Sequence, residues 1–281
     1  MEKILEHIIK LALDEDIGDE DITTGAVIPA DVRARGIFII KADGIIAGLK
    51  VVEKVFKIID EQIIYKIIAE DGTFVKNGSI SAEVEGSASS ILKSERVALN
   101  YLQRMSGIAT LTNDFVREIK HTKAKILDTR KTVPGLRMLD KEAVRLGGGK
   151  NHRIGLFDLF LIKDNHIEIA GSITEAVLRC RDYRRKNNSE FKIEVETKNL
   201  LEVKEALNCD IDIIMLDNFS TDLIKQAVEL INGKCLVEAS GNINLKNVKE
   251  VAETGIDYIS VGALTHSVKA LDISLELQLI K

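Results

Sequence analysis

The sequence contains few of the residues that characterise several other classes of protein. Its 281 residues include no tryptophan and only two prolines, and aromatic residues make up 4%. Hydrophobic residues make up 45%, which is too many for a disordered chain, and the scarcity of proline excludes a collagen-like repeat. We therefore expect a globular protein, large enough for one or two domains, with a mainly aliphatic core.

Basic residues are also too few for a surface that binds nucleic acid. The chain has 39 Lys and Arg against 44 Asp and Glu, which gives a formal net charge of -5. Proteins that bind nucleic acid depend on a surplus of positive charge. We expect no nucleic-acid partner.

Cysteine is scarce, and long apolar runs are missing at the amino end. The three cysteines, Cys180, Cys209 and Cys235, are far apart and form no CxxC pair, which argues against a disulfide framework and a structural zinc site. Charged residues interrupt residues 1–13, so we expect neither a signal peptide nor a membrane span in this segment. We expect a cytoplasmic protein with no membrane association.

The first third of the chain has the pattern of an α+β region. Apolar residues with helical spacing predict a helix over residues 2–13, ended by the acidic stretch 14–21, and a second helix over 49–58. Between them and beyond, alternating apolar residues predict strands over residues 36–40, 63–68 and 79–84. A long helix is predicted over residues 90–120, with a break at Ser106–Gly107.

After residue 120 the pattern becomes one of repeated βα units. Such units imply parallel strands covered by helices, and because no GxGxxG follows the first strand we favour a barrel over a dinucleotide-binding sheet. Helices are predicted over residues 173–186, 221–231 and 246–253. Strands are predicted over residues 124–127, 159–162, 192–195, 211–216, 235–238 and 258–261.

Polar residues and glycines directly follow all six of these strands. A single strand ends in a polar residue whenever it reaches solvent, but six in succession, carrying both signs of charge, indicate a site. Parallel barrels place their active sites at the carboxyl ends of the strands. The strands are followed by residues 128–131 (DTRK), 163–166 (KDNH), 196–197 (ET), 217–218 (DN), 240–242 (SGN) and 262–263 (GA).

Positive charge is concentrated in one part of this region. Residues 130–163 contain eight Lys and Arg and three Asp and Glu. Like charges at one rim repel each other unless anions bind there, and arginine suits planar carboxylates and phosphates. The glycine run at 147–149 is either a hinged lid or a plain flexible loop, since it lacks the GKS/T of a P-loop. The cationic candidates are Arg130, Lys131, Arg153 and Lys163, together with His152.

Two acids and several small residues complete the predicted site. Glu196 and Asp217 are candidate ligands for Mg2+ carrying a polyphosphate, or else ion-pair partners for the lysines. Glu194 and Glu238 alternate into the same region, so the number of acids does not identify the metal ligand. After the last two strands, Ser240, Gly241 and Gly262 either bind a phosphate or only form turns and helix caps.

Two other functions fit single features of the sequence. Lys163 on a barrel strand is compatible with a Schiff-base aldolase, but the surrounding cations and acids exceed what such a lysine needs. Residues 72–84 have the strand-and-turn rhythm of a biotinyl or lipoyl carrier domain. A carrier role is disfavoured because no lysine occupies an attachment-type turn.

Eight runs of residues, together with residues 18–24 (GDEDITT), resemble the quinolinate phosphoribosyltransferase family of NAD biosynthesis. The resemblance follows the family's order nearly to the carboxyl end, and the block 128–166 is its most specific part. The runs are 95–100 (ERVALN), 106–110 (SGIAT), 128–137 (DTRKTVPGLR), 147–156 (GGGKNHRIGL), 161–166 (LIKDNH), 216–219 (LDNF), 238–241 (EASG) and 261–267 (VGALTHS).

The resemblance implies a particular α/β architecture. An N-terminal α/β sandwich domain would cover residues 1–110 and be joined by a C-terminal helix at about 269–281. An incomplete, seven-stranded α/β barrel would form the catalytic domain over residues 111–268, so one strand is missing from the six read above. The resemblance also implies a homodimer, with a hexamer as a further possibility, in which Arg96 reaches the neighbouring site.

The resemblance also implies a reaction and a set of ligands. Phosphoribosyl would pass from phosphoribosyl pyrophosphate to quinolinate with loss of carbon dioxide; the alternative is a related enzyme acting on another acid, such as nicotinate. Quinolinate would contact Arg96, Thr129, Arg130, Lys131, His152, Arg153 and Lys163. Phosphoribosyl pyrophosphate would contact Lys131, Lys163, Glu196, Asp217, Ser240, Gly241, Asn242 and Gly262, with Mg2+ at Glu196 and Asp217. The small departures at residues 197–198 and 239 remove none of these residues.

Overall fold

The computed structural model describes residues 2–280, which form two compact units. The first unit contains residues 2–113, Val133–Gly148 and residues 267–280, and the second contains Asp114–Thr132 and Gly149–His266. The predicted domains placed residues 111–268 together, whereas here the segment Val133–Gly148 leaves the second unit and packs with the first.

The first unit is built on a four-stranded antiparallel sheet with a smaller two-stranded sheet beside it. The larger sheet has the strand order β12-β1-β5-β3, and β2 pairs with β4. The helices are α1 (Glu2–Ile17), α2 (Ile22–Val27), α3 (Leu49–Ile59), α4 (Ala88–Ile119) and α5 (Arg137–Leu146). The strands are β1 (Arg33–Ile40), β2 (Gly44–Ile45), β3 (Ile64–Ile67), β4 (Phe74–Val75), β5 (Ile80–Ser87) and β12 (Ile273–Leu279).

The core of this unit lies between the larger sheet and α3. Alternate residues of β1 are buried, as the period of two in a strand requires, and they include Phe38 and Ile40. On α3, Val52, Val55 and Phe56 are buried with helical spacing. The ring of Phe56 meets that of Phe38 edge to face, with 6.1 Å between centroids. The predicted helix over 49–58 and the predicted strands over 36–40, 63–68 and 79–84 are confirmed as α3, β1, β3 and β5. Helix α1 is longer than predicted, because it continues past residue 13 to Ile17.

Two predictions for helices in this unit are wrong, and each has a physical reason. Helix α4 runs without a break through Ser106–Gly107. Gly107 allows close packing, since a Cβ there would overlap the carbonyl oxygen of Lys269, and Ser106 bonds to the backbone of Ala47. The C-terminal helix at about 269–281 is also wrong, because Ile273–Leu279 is a strand that pairs antiparallel with β1. Its alternation of apolar and polar residues has the period of a strand.

The second unit is an incomplete barrel built on a parallel six-stranded sheet. The strand order is β6-β11-β10-β9-β8-β7. All six predicted strands are confirmed, and no strand end differs from its prediction by more than two residues. The strands are β6 (Lys125–Leu127), β7 (Phe160–Ile162), β8 (Ile193–Thr197), β9 (Ile213–Asp217), β10 (Leu236–Ser240) and β11 (Tyr258–Ser260). The helices are α6 (Asp164–Ala170), α7 (Ile173–Lys186), α8 (Leu200–Leu207), α9 (Thr221–Ile231), α10 (Val248–Ala252) and α11 (Ala263–His266).

The seventh strand position is reduced to a single bridge. Lys150 pairs in parallel with Leu127 of β6, its N–H donating to the carbonyl of Ile126. Within residues 2–280 no ladder joins β7 to β6, so the barrel stays open on that side. One paired residue in a glycine-rich segment has no apolar alternation, which explains why the sequence pattern did not reveal this strand.

No helix within residues 2–280 combines the length and the apolar character needed to cross a membrane.

Helix α5 is tied to α4 by a buried ion pair inside the first unit. Nε and Nη2 of Arg104 donate to the two carboxylate oxygens of Asp140 at 2.9 and 2.8 Å. The Asp140 side chain is fully buried, and burial raises its pKa even though Arg104 acts in the opposite direction. The pair therefore holds α5 in place only as long as both partners are present.

We predict that Arg104→Ala lowers the free energy of unfolding by about 3 kcal/mol or more, because it leaves a buried carboxylate without its partner. Denaturant titration of the purified protein measures this. Arg145→Ala is the matched control, since it removes an arginine from an exposed ion pair with Glu142. Both residues of that pair lie on α5, the helix that carries Asp140. It should cost about 1 kcal/mol or less. Equal losses in the two variants would contradict the role given to Arg104.

Candidate active site

A cavity of about 640 Å³ opens at the carboxyl ends of the barrel strands. The parallel register brings these ends together, as Asp217 at the end of β9 stands opposite Ser240 at the end of β10. Twelve of the thirteen residues predicted for the site line this cavity. They are Thr129, Arg130, Lys131, His152, Arg153, Lys163, Glu196, Asp217, Ser240, Gly241, Asn242 and Gly262.

Arg96 is the thirteenth residue, and it does not line this cavity. It lies exposed on α4 in the first unit. Sequence reasoning also missed several lining residues, of which Asn218, Ser260 and His266 are polar. Asn218 follows Asp217 at a predicted strand end and Ser260 lies within the last predicted strand, so the strand end is the signal that could have identified these two.

Arg130 and Arg153 bring two positive charges into one wall of the cavity. Burial lowers the pKa of the Arg153 guanidinium, and the neighbouring charge of Arg130 lowers it further. Nη1 of Arg153 donates to the carbonyl of Leu159 at 3.3 Å, whereas Nε of Arg130 is buried without an acceptor among the described residues. Two crowded cations with an unused donor form a wall that an anion would stabilise.

Lys131 reaches the cavity from a turn that is held on both sides. Its N–H donates to Oγ1 of Thr129 at 3.1 Å, and its carbonyl accepts from Oγ1 of Thr265 at 2.8 Å. Gly262 leaves room beside it, because a Cβ there would lie 3.2 Å from Cδ of Lys131 and 3.1 Å from Cδ2 of His266. A larger residue at position 262 would therefore displace two side chains of the cavity.

Lys163 and Glu196 meet across the ends of β7 and β8. Nζ of Lys163 lies 3.4 Å from Oε2 of Glu196, whose side chain is only 11% exposed. The N–H of Lys163 donates to Nδ1 of His166, which fixes the start of α6 and the position of the lysine. The ion pair predicted as one role for the acids is thus present for Glu196.

Asp217 is positioned by the residue that follows it. Nδ2 of Asn218 donates to Oδ2 of Asp217 at 2.9 Å, and Oδ1 of Asn218 accepts from Nδ2 of Asn242 at 3.0 Å. Asn218 has a left-handed backbone with φ 57°, which asparagine tolerates well. Gly241 lies against it, because with φ 94° it accepts no ordinary side chain and its Cβ would overlap Oδ1 of Asn218. The asparagine therefore connects the acidic strand end to the Ser240–Asn242 turn.

Carboxylate oxygens that could hold a metal are present at two depths of the barrel. At the rim, Glu196 and Asp217 line the cavity and have the oxygen donors that Mg2+ prefers. Deeper, ligand atoms of His152, Glu194 and Glu238 lie within 4.8 Å of one another. The two depths follow from the strand period, since Glu194 and Glu196 are two residues apart on β8 and share a face.

The deeper carboxyl groups are almost completely shielded from water. Glu194 and Glu238 are 0% and 1% exposed, and Nε2 of His152 lies 3.2 and 3.5 Å from one oxygen of each. Burial raises the pKa of Glu194 to about 7 and that of Glu238 to about 8, and in Glu238 the charge of Glu194 adds to the effect. Holding both groups ionised here would be costly.

The glycine run at residues 147–149 is partly explained by packing. Gly147 ends α5, and a Cβ there would overlap the carbonyl oxygen of Ala109. Gly148 has a left-handed backbone with φ 91°. These constraints account for two of the glycines, and a lid motion stays a prediction.

We predict that Glu238→Gln stabilises the protein by an amount that grows as the pH rises from about 5 to about 8. A carboxyl group whose pKa is raised by folding destabilises the folded state once the pH passes its unfolded value, and glutamine removes that ionisation. The difference in unfolding free energy between variant and wild type should grow by more than about 1 kcal/mol over this range. Chemical denaturation at several pH values measures it. A constant difference would contradict the prediction.

Comparison with known proteins gives matches along almost the whole chain. Residues 21–106 match the N-terminal domain, and residues 108–276 the C-terminal domain, of quinolinate phosphoribosyl transferase. The chain is 48% identical to the chloroplastic nicotinate-nucleotide pyrophosphorylase [carboxylating] of Oryza sativa subsp. japonica, covering 97% of this chain and 77% of that protein. It is 41% identical to a probable nicotinate-nucleotide pyrophosphorylase [carboxylating] of Bacillus subtilis (strain 168), covering 99% of this chain and 94% of that one.

Solved structures agree with these matches. The nicotinate-nucleotide pyrophosphorylase from Francisella tularensis superposes with a TM-score of 0.93 at 41% identity, covering 99% of this chain and 97% of that one. A human nicotinic acid phosphoribosyltransferase has a TM-score of 0.63 at 10% identity over 98% of this chain and 74% of that one, a likeness of fold alone. Given matches to both domains and relatives more than 40% identical over nearly its full length, the chain belongs to the quinolinate phosphoribosyltransferase family.

Proposed function

We propose that this protein transfers the phosphoribosyl group of phosphoribosyl pyrophosphate to quinolinate and releases pyrophosphate, carbon dioxide and nicotinate mononucleotide. The observation that carries the proposal is a cavity in which a wall of arginine and lysine faces carboxylates and a glycine turn. Its volume of about 640 Å³ is of the size of small-molecule sites. The relatives named as carboxylating nicotinate-nucleotide pyrophosphorylases support the same reaction.

The two carboxylates of quinolinate would bind at the cationic wall. Arg130 has a buried donor without an acceptor in the described part of the chain, and Arg153 has its guanidinium next to it. A planar carboxylate would therefore supply the missing acceptor and relieve the repulsion. Lys163 lines the same cavity and would neutralise the second carboxylate, with Thr129 beside it. A monocarboxylate such as nicotinate would leave part of this positive charge unmatched.

Phosphoribosyl pyrophosphate would bind along the neighbouring strand ends. The 5-phosphate would lie at the Ser240–Asn242 turn and Gly262, where backbone N–H groups are accessible beside glycine. Lys131 would face the pyrophosphate, while Glu196 and Asp217 would hold the ribose hydroxyls. These two carboxylates also fit Mg2+, which when bound supplies positive charge to the pyrophosphate.

The reaction would depend mainly on positioning and electrostatics. The bond between the anomeric carbon and pyrophosphate breaks as Lys131 offsets the growing negative charge, and the carboxylates stabilise the positive charge that develops on the ribose. The pyridine nitrogen then forms the new bond to the anomeric carbon. The carboxylate next to that nitrogen leaves as carbon dioxide, its electron pair passes to the cationic ring, and the ring carbon takes a proton.

The test of this function is release of labelled carbon dioxide from quinolinate labelled in the carboxyl group next to the nitrogen. Release should require phosphoribosyl pyrophosphate and be matched by one pyrophosphate per turnover. Nicotinate in place of quinolinate should give no nucleotide. Turnover of nicotinate alone would reject the proposal in favour of a related phosphoribosyltransferase acting on another acid.

We predict that Arg153→Ala raises the KM for quinolinate about tenfold to a hundredfold, the range expected for a lost charge-assisted hydrogen bond. The KM for phosphoribosyl pyrophosphate should stay within about threefold, because the other substrate does not need this side chain. Steady-state kinetics with each substrate varied in turn measures both constants. Equal increases in the two would contradict a carboxylate-binding role.

The assembly we propose is a homodimer in which Arg96 completes the site of the neighbouring subunit. Arg96 is exposed on α4 and is not among the residues lining the cavity of its own chain, which is compatible with a role in another copy. A hexamer built from such dimers is the alternative assembly.

We predict that two inactive variants, Arg96→Ala and Lys163→Ala, regain activity when mixed. In a heterodimer with shared sites, one of the two sites would contain neither substitution, so up to half of the wild-type activity per heterodimer should return. Differently tagged chains, co-expressed and purified for both tags, allow the measurement. Verified heterodimers without activity would contradict the sharing of sites.

The cellular location stays a prediction. We expect a cytoplasmic protein without nucleic-acid partners, on the basis of the composition. Named relatives differ here, as the protein from Oryza sativa subsp. japonica is chloroplastic and one from Nicotiana tabacum is mitochondrial.

A further inference from the structure

Both ring nitrogens of His152 are engaged by the protein itself. Nδ1 accepts a hydrogen bond from the N–H of Arg153 at 2.7 Å, and Nε2 lies 3.2 Å from Oε2 of Glu194. The backbone N–H of His152 donates to Oδ1 of the buried Asp128 at 2.9 Å. The side chain is 8% exposed, although the residue lines the cavity. Nε2 of the ring thus faces the buried carboxyl groups of the barrel, and Nδ1 faces the backbone N–H of the next residue.

The hydrogen bond from Arg153 determines which tautomer the ring adopts. A nitrogen that accepts a hydrogen bond cannot carry a hydrogen, so the hydrogen of the neutral ring is on Nε2. Nε2 is the nitrogen that faces the carboxylates of Glu194 and Glu238. A metal ion at Nε2 would require the hydrogen on Nδ1, where it would meet the N–H of Arg153. The cluster is therefore arranged for donation from the ring to carboxyl groups.

The buried carboxyl groups have few hydrogen bonds, and Nε2 of His152 lies close to one oxygen of each. None of the four carboxylate oxygens of Glu194 and Glu238 has an aligned hydrogen bond in the part of the chain that the structure describes. The ring N–H of His152 is directed at both groups, which anchors the imidazole electrostatically. Because the ring is held at Nε2, the position of Nδ1 is fixed as well, and with it the position of the group that is bonded to Nδ1.

The group held by that other nitrogen is the backbone of Arg153. Its N–H is fixed by Nδ1 of His152, and its guanidinium is held by the carbonyl of Leu159. We propose that His152 is a positioning residue for Arg153: its ring connects the carboxyl groups of Glu194 and Glu238 to the Arg153 backbone. The proposal rests on the proposed function, in which Arg153 binds a carboxylate of quinolinate.

Two substitutions separate the two nitrogens of the ring. In His152→Asn the side-chain oxygen can replace Nδ1 as the acceptor for Arg153, and in His152→Gln the side-chain amide can replace the Nε2 donor. Each variant keeps one of the two links and loses the other, so if the ring positions Arg153, both should raise the KM for quinolinate about fivefold to tenfold, as expected for a lost hydrogen bond. The KM for phosphoribosyl pyrophosphate should change little in either variant. A KM for quinolinate that stays at the wild-type value in either variant would overturn the proposal, because one link alone would then be enough.

A double substitution tests whether the effect passes through Arg153. In an Arg153→Ala background, His152→Gln should add less than about twofold to the KM for quinolinate, because the group that it positions has gone. A full, additive increase would overturn the proposal. This comparison uses only the glutamine variant, so it remains decisive if the asparagine variant, which loses the donor to the buried carboxyl groups, fails to fold.

A spectroscopic test does not depend on the reaction. In protein labelled with 15N-histidine, the ring signals of His152 are identified by their loss in His152→Gln. They should show a neutral ring with its hydrogen on Nε2 and an accepting Nδ1. A ring with its hydrogen on Nδ1 would overturn the proposal. If the wild type fails to turn over quinolinate, the proposed function is rejected, and the ring signals still decide whether His152 is held as described.

Discussion

The site depends on one electrostatic constraint, the confinement of several cations at the carboxyl ends of a small set of parallel strands. Arg130 and Arg153 are close enough for one to lower the pKa of the other, and Lys131 and Lys163 line the same cavity. Folding brings these groups together because the strands are parallel and their ends meet at one rim. The repulsion must be offset by the packing of the rest of the barrel. An anion bound between the cations would remove it, so the arrangement is more stable with its ligands than without them.

The barrel interior separates this rim from a layer of carboxyl groups beneath it. On β8, Glu194 is fully buried while Glu196 reaches the cavity and pairs with Lys163, although only one residue stands between them. Two acids on the same face of β8 thus have different roles. The outer one is available for ligands and the inner one faces the ring of His152. Buried acids destabilise a fold, and retaining two of them is understandable if they hold the residues of the rim in place.

Much of this organisation could be predicted from the sequence, because periodic patterns report directly on regular structure. All six strands of the second unit follow from continuous aliphatic runs, and helices such as Thr221–Ile231 from their spacing. The failures concern contacts between distant parts of the chain. Gly107 has the appearance of a helix breaker until its close approach to Lys269 is known, and a strand reduced to one bridge at Lys150 leaves no pattern. The C-terminal helix came from the family resemblance, whereas the alternation in Ile273–Leu279 indicated a strand. Asn218 stands at a predicted strand end, but its role also depends on Asn242, a side chain that the fold brings to it from farther along the chain.

The same constraint bears on the choice between a dicarboxylate and a monocarboxylate. A site discriminates strongly against a smaller ligand when the missing group leaves buried polar atoms without partners, and only weakly when an apolar contact is lost. Here Nε of Arg130 is buried without an acceptor within residues 2–280, and Arg153 is partly buried beside it. A ligand with one carboxylate can satisfy only some of these donors, and the remaining cations would stay crowded and partly desolvated. A second carboxylate would match them, so in the proposed reaction the discrimination would come from the cost of unpaired arginine and would need no steric exclusion of nicotinate.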